Sequence, residues 1–368
     1  MSLSVEQVLE ALKVVQDPDL HRDIVSLGFV QNVKIDGGVV SFTVELTTPA
    51  CPVKDILEQQ AHDAVAALPG VQTVNIEMTA QVRTRQTQQE DLLPEVKQVI
   101  AIASGKGGVG KSTVTVNVAV ALAQQGAKVG LLDADVYGPS IPLMMGTKGE
   151  APLTRNSKII PIERFGVKMM SLGFLIPDGQ APLWRGPMVA GTVRQLLADV
   201  AWGELDYLIV DLPPGTGDAP MTLAQQVPLT GVVIVTTPHN VAANIAGSCA
   251  SLFRRLNTSI LGVIENMGTA VCQHCGQESR VFAGTSGEEL ATGLGVPYLG
   301  SVPLDAQVSE SADRGLPSLI AHPESHQATA FREVSGQVAA QASVASVSKA
   351  ESTGMAFIPT NEQEIHPQ

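Results

Sequence analysis

Ser104-Gly105-Lys106-Gly107-Gly108-Val109-Gly110-Lys111-Ser112-Thr113 decides the reading of this chain. It follows the apolar run Val99-Ile100-Ala101-Ile102-Ala103 and precedes a helical stretch from Thr115 to Gln124. Gly105, Gly110, Lys111 and Ser112 fit the strand–GxxxxGK[ST]–helix pattern of a P-loop. Glycines let successive backbone N–H groups, here through Gly107, Gly108, Val109 and Thr113, converge on phosphate oxygens, and the helix N-terminus adds a favourable dipole. In such a loop the Lys111 ammonium reaches the β- and γ-phosphates and the Ser112 hydroxyl ligates Mg²⁺. A second lysine, Lys106, stands directly after the first glycine. A glycine-rich turn with incidental lysines is the bland alternative, and the flanking strand and helix argue against it.

Two carboxylate motifs extend this site. Asp133-Ala134-Asp135 follows the apolar run Lys128–Asp133, and two carboxylates beyond a strand, opposite a P-loop, suit a Mg²⁺ shell and a water nucleophile. Leu208-Ile209-Val210-Asp211 lifts Asp211 to a strand end, where it holds the metal's water ligands. Thr216, Gly217 and Asp218 then form a switch that senses the γ-phosphate.

From Lys97 onward strands alternate with helices. Val99–Ala103, Lys128–Asp133, Tyr207–Asp211, Val232–Thr236 and Ile260–Glu265 are continuous apolar runs, which suit a parallel sheet buried on both faces. The expectation is an α/β, doubly wound, mainly parallel P-loop NTPase domain over 97–342, its site at the C-terminal strand ends. Residues 1–80 read as a small α-β-β-α-β domain: a helix from Val5 to Val15, strands Phe29–Ile35 and Val39–Leu46 joined at Asp36-Gly37-Gly38, a helix Val53–Leu68 and a strand Gln72–Met78. Residues 81–96 read as a polar linker and 343–368 as a disordered tail.

The 368-residue chain is comfortable for two domains. With 44% hydrophobic and 16% charged residues it is globular. A net charge of −13 and only 4% aromatics argue against nucleic acid or an anionic membrane as partner. No run reaches the ~18 apolar residues of a membrane span, and the start lacks a signal peptide's basic and apolar regions. Four cysteines are too few for a disulfide framework, so the cytoplasm is the expected location.

Cys272-Gln273-His274-Cys275 is the second informative stretch. Its spacing lets two thiolates bind one metal or cluster edge, and His274 between them is poorly placed as a further ligand. A redox dithiol, a zinc knuckle with two distant ligands and a cluster shared by two copies of the chain all compete. The last is favoured, because a closed dimer supplies the missing pair by symmetry. Cys51, in Thr47-Thr48-Pro49-Ala50-Cys51-Pro52, stands at a strand-to-helix junction that would lower a thiol pKa, or is a small buried residue. Cys249 reads as core packing.

With these residues in view the chain resembles the Mrp/ApbC family of iron–sulfur cluster carrier ATPases over nearly its whole length. SGKGGVGKST, DADVYGPSIP, WRGPMV (Trp184–Val189), VDLPPGTGD, ENM and CxxC occur in that family's order. GKGGVGKST also resembles the deviant Walker A of the MinD/ParA class. DPDL (Asp17–Leu20), LGFV and TTPACP resemble the small iron–sulfur assembly domain often fused to it. The resemblance implies ATP binding with slow hydrolysis, a homodimer, and a labile [4Fe–4S] cluster on Cys272 and Cys275, assembled with scaffold partners and passed to apo-proteins. It also implies that Lys106 reaches the partner copy's nucleotide, that Asp135 orients water, and that Asn266 and Pro303 hold the base. Asn240, where an acidic residue is common, and Pro220, where a polar one is usual, depart from the pattern without touching a phosphate ligand. The alternatives are a MinD/ParA-like positioning or partition ATPase, which should carry a basic surface or amphipathic tail, and a zinc-stapled nucleotide switch or adaptor.

Overall fold

The structure, a computed structural model, describes residues 3–85, 92–136, 138–175, 186–272, 274, 275 and 277–352. Chain contacts divide it into two units. One holds the residues up to Thr47, Val53–Gln81 and the chain from Ser346; the other holds Thr48–Pro52 and Val82–Ala345.

The N-terminal unit follows the α-β-β-α-β order expected, with α1 (Val5–Leu12) ending short of Val15 and a two-residue antiparallel ladder, Gln16–Asp17 with Arg22–Asp23, inserted before β1 (Val30–Asp36), β2 (Val39–Leu46), α2 (Lys54–Ala66) and β3 (Thr73–Ala80). Ser4 and Gln7 close a reciprocal capping box at α1. Gly37, at φ +59, makes the tight β1–β2 turn that a side chain would strain. β3 returns parallel to β2, and Val8, Leu12, Phe42, Val44, Leu57 and Val65 form the core beneath.

The large unit is built on a nine-stranded sheet. Its strands are β4 (Val96–Ser104), β5 (Val129–Asp133), β6 (Val167–Ser171), β7 (Leu205–Asp211), β8 (Gly231–Thr236), β9 (Ile260–Val271) and β10 (Tyr298–Leu304), with Ile162–Arg164 and Glu278–Ser279 antiparallel at the margins. In space the order is β6-β5-β7-β4-β8-β9-β10, all parallel. Its longer helices are α3 (Lys111–Gln124), α4 (Gly186–Asp199), α5 (Asp218–Gln226), α6 (Asn240–Arg255), α7 (Gly287–Leu294), α8 (Ala306–Asp313) and α9 (His326–Ser352), whose residues from Ser346 on group with the N-terminal unit. Val114, Val116, Val118, Val120 and Leu122 are all buried, so α3 is apolar on every side, as a helix sunk into the core must be. Gly126, at φ +95, ends it. Among the described residues no helix is long and apolar enough to cross a membrane.

Three expectations are corrected. Residues 343–352 are not disordered but continue α9, where Ala342, Ser343 and Val347 are buried. Alanine has the highest helix propensity and its small size allows close packing, so a low-complexity Ala/Ser/Val run can be a packed helix; residues 353–368 lie outside the described residues. The ends of the presumed linker are also packed. Val82 and Leu93 are buried, and buried Arg85 donates to the carbonyls of Val96 and Leu93; residues 86–91 lie outside the described residues. Finally, β6 and β10 were absent from the sequence reading: Val167-Lys168-Met169-Met170-Ser171 is broken by a lysine, and Gly300 and Pro303 interrupt the other.

Candidate functional site

Parallel pairing brings the predicted residues to one edge of the sheet. Asp211 lies opposite both Asp133 and Ile102, and Ser171 lies opposite Asp133, so three strands end at the same level. The chain leaves β4 into the glycine loop and enters α3 through Gly110, at φ +78. A Cβ at Gly110 would collide with the Asn266 carboxamide, and one at Gly105 would lie 2.6 Å from the Ile245 carbonyl carbon. Glycine at both positions is thus required by packing as well as by phosphate access. Lys106 is half-buried, and its carbonyl accepts from Ser104 Oγ at 3.0 Å.

The polar centre is tightly bonded. Lys111, 6% exposed, places Nζ 2.8 Å from Asp211 and 3.6 Å from Asp135. Ser112 Oγ donates to Asp211 at 2.7 Å, and Thr115 Oγ1 lies 2.7 Å from the other Asp211 oxygen. Asp133 accepts from Ser171 Oγ at 2.9 Å and from the Asp135 amide at 3.1 Å. Burial, reinforced by the charge of Asp211, pushes the Asp133 carboxyl up to about 8. The donors here, Ser112, Asp133 and Asp211, are all oxygen, as a hard dication such as Mg²⁺ prefers. Thr115 and Ser171 escaped the sequence reading: the first reads as an ordinary helix residue, and the second sits on an unrecognised strand.

The base-site candidates separate. Asn266 is buried and donates from Nδ2 to the Val109 carbonyl at 2.9 Å, bracing the phosphate loop. Pro303 lines a cavity of about 430 Å³ together with Thr269, Ser301 and His326. Thr216 and Gly217 are exposed just before α5, close to the loop through Gly215, whose amide donates to Ser104 O at 2.8 Å. Tyr137, Trp184 and Arg185 of the family-like motifs lie outside the described residues.

The thiol pair is not in a plain glycine-rich loop, as its sequence suggested. β9 runs on for twelve residues to Val271, and Glu278–Ser279 pairs back on it, so Cys272 and Cys275 sit exposed at the end of a β-hairpin. Amide N–H groups, chiefly that of Cys275 and then that of His274, point at Cys272 and hold its thiol below the ordinary value. Among the described residues no three His, Cys, Asp or Glu side chains gather for a metal. Glu265, which the sequence did not single out, is buried in β9 and accepts from the Gly287 amide at 2.5 Å and Ser301 Oγ at 3.1 Å. Cys249 is buried in α6, which pushes its thiol up to about 12 and fits core packing. Cys51 is half-buried between β2 and α2, in the segment that groups with the large unit.

Comparison with known proteins follows the same division. Residues 95–339 match the family described as NUBPL iron-transfer P-loop NTPase, and residues 5–78 the one described as iron-sulfur cluster assembly protein. The sequence is 46% identical to an iron-sulfur cluster carrier protein of Synechocystis, over 94% of this chain and 99% of that protein. It is 48% identical to one from Deinococcus radiodurans, over 94% and 97%. Among solved structures, a nucleotide-binding protein from Archaeoglobus fulgidus in complex with ADP is 38% identical, with a TM-score of 0.56 over 64% of this chain and 93% of that one.

Proposed function

The chain belongs to the NUBPL iron-transfer P-loop NTPase family, and on that premise we propose that it is an ATP-driven iron–sulfur cluster carrier. Two copies share one cluster, preferably [4Fe–4S], between their Cys272 and Cys275 pairs, and deliver it to apo-proteins. The observation that carries this reading is the exposed thiol pair with its lowered Cys272, on the strand whose Asn266 braces the phosphate loop. Two thiols are half of a four-ligand site, and a two-fold axis supplies the rest. A cargo that must leave is better held on an exposed hairpin than in a buried cage.

The residues divide the work as follows. The loop amides and the α3 N-terminus bind the ATP phosphates. Lys111, now neutralised by Asp211 at 2.8 Å, turns to the β- and γ-oxygens, where phosphate offers a stronger partner. Ser112, with Asp211 and Asp133, would hold Mg²⁺, which would neutralise charge on the phosphates. Asp135 orients the attacking water and accepts its proton. Lys106 of the partner copy stabilises charge on the transferred phosphoryl group, so hydrolysis needs the dimer. Pro303 flanks the base, and Asn266 supports the phosphate loop through the Val109 carbonyl.

Anaerobic reconstitution with iron and sulfide tests the proposal. About four irons per dimer, broad absorbance near 400 nm, and loss of both in the Cys272→Ser/Cys275→Ser variant are expected. Iron and sulfide retained in that variant would exclude this pair, and one zinc per chain in place of a cluster would exclude carriage.

A further inference from the structure

The hairpin that presents Cys272 and Cys275 is tied to the phosphate loop at Asn266, and the chain leaving it is tied at Gly284 and Thr285 to the start of α6, the helix that flanks that loop. On the outgoing arm, Asn266 bonds the Val109 carbonyl at 2.9 Å and fills the space where a Gly110 side chain would lie. Met267, at φ 60, and Gly268, closed in by Ser301 and Glu265, follow it before the strand reaches Val271. In the chain leaving the hairpin, Gly284 lies on the backbone of the β8–α6 turn, its Cβ position 2.7 Å from the Pro238 carbonyl oxygen. One residue on, Asn240 Oδ1 accepts the Thr285 amide at 2.8 Å and lies 3.1 Å from its hydroxyl. Asn240 opens α6, the helix whose Ile245 backbone lies against Gly105 at the other flank of the loop.

We propose that Asn240 and Thr285 are positioning residues that carry occupancy of the phosphate loop to the Cys272/Cys275 pair within a single chain. The proposal deepens the carrier reading and rests on it only for what the thiols hold. Its physical basis is the absence of slack. At Gly105, Gly110 and Gly284 backbone meets its neighbour with no side chain between, and packed interiors shift between discrete arrangements instead of yielding smoothly. Loop amides that turn toward phosphate therefore push on Asn266 and on the start of α6 together. The Asn240–Thr285 bonds pass the second displacement to the chain leaving the hairpin. The same position explains why asparagine serves where an acidic residue is common: either side chain offers the oxygen that Thr285 needs.

The test is alkylation of Cys272 and Cys275 by iodoacetamide in the full, cluster-free chain, read by peptide mass spectrometry with and without Mg·ATP. In the unaltered protein nucleotide should change the Cys272 rate constant by about fivefold or more, a typical coupling between sites. Asn240→Ala should bring that ratio toward one, and Thr285→Val should lower it part of the way, with nucleotide affinity unchanged in both. Asn240→Asp, which keeps the acceptor, should restore the ratio, a result that loss of local packing alone would not give. The ratio should not depend on protein concentration. A ratio of one in the unaltered protein, a ratio intact in Asn240→Ala, or a ratio that appears only as concentration rises would each overturn the proposal. Iron loading of the same preparations separates it from the carrier reading. A loaded cluster with a flat thiol ratio sinks the coupling alone, and a nucleotide-dependent ratio without any cluster sinks the carrier reading alone.

Discussion

Replacing Asp133 by asparagine should make the large unit more stable at alkaline pH, by an amount that the buried carboxyl pair sets. Asp133 is fully buried at the end of β5, across from Asp211, and its carboxyl is raised from 3.8 to about 8. The folded chain without nucleotide therefore holds a proton there over a range in which the unfolded chain has lost it. An acid raised on folding favours the folded state at low pH and loses that advantage as pH climbs toward its folded pKa. Each pH unit between about 4 and about 8 removes ~1.4 kcal/mol, and the loss tapers as the group ionises. From pH 6 to 8 this one group should lower stability by roughly 2 kcal/mol. An asparagine side chain there would not titrate: its oxygen can still accept from Ser171, and the lost bond from the Asp135 amide is a cost that does not change with pH. Urea unfolding in EDTA, followed by tryptophan emission, measures the difference, because Trp202 is buried in the large unit. The lead of the Asp133→Asn protein over the unaltered one should grow by roughly 2 kcal/mol between pH 6 and pH 8. Curves that stay parallel across that range would refute the assignment of the proton to Asp133. The same reasoning predicts that Mg·ADP binding at pH 7 releases about one proton, readable as buffer-dependent calorimetric heat.

Other residues offer independent checks. Gly110→Ala combines a φ of +78, which costs about 1 kcal/mol with a side chain, with a collision against Asn266, so nucleotide affinity should fall at least about tenfold by fluorescent-nucleotide titration. Undiminished affinity would show that the loop is not the nucleotide site. Lys106→Ala should lower the hydrolysis rate by about 10³-fold, as loss of a charge-stabilising residue supplied by a partner does, with affinity changed little; equal turnover would end the partner-lysine assignment. Thr48→Val removes the hydroxyl that accepts from Tyr207 Oη at 2.8 Å and from the Ala50 amide at 3.1 Å. Leaving buried donors unmet should cost about 2 kcal/mol in urea unfolding, and a neutral result would mean that water replaces the lost hydroxyl.

The local pattern of the sequence determined the phosphate loop, the two carboxylates at strand ends and the thiol pair, because each depends on residue types at short fixed spacings. Continuous apolar runs likewise determined the central parallel strands, since a strand buried on both faces cannot hide its composition. What only tertiary structure decided involves partners far apart along the chain. Thr115 and Ser171 enter the site because parallel register brings β6, β5 and β7 to one level. Glu265 looks like a charge ending a strand until Gly287 and Ser301 close on it. Asn266, read for its capacity to face a base, turns to the Val109 carbonyl, a bond across 157 residues that no local period encodes. The helix through 343–352 was missed for the opposite reason: Ala, Ser and Val alone carry no amphipathic stripe, and burial decides whether such a run packs or stays loose.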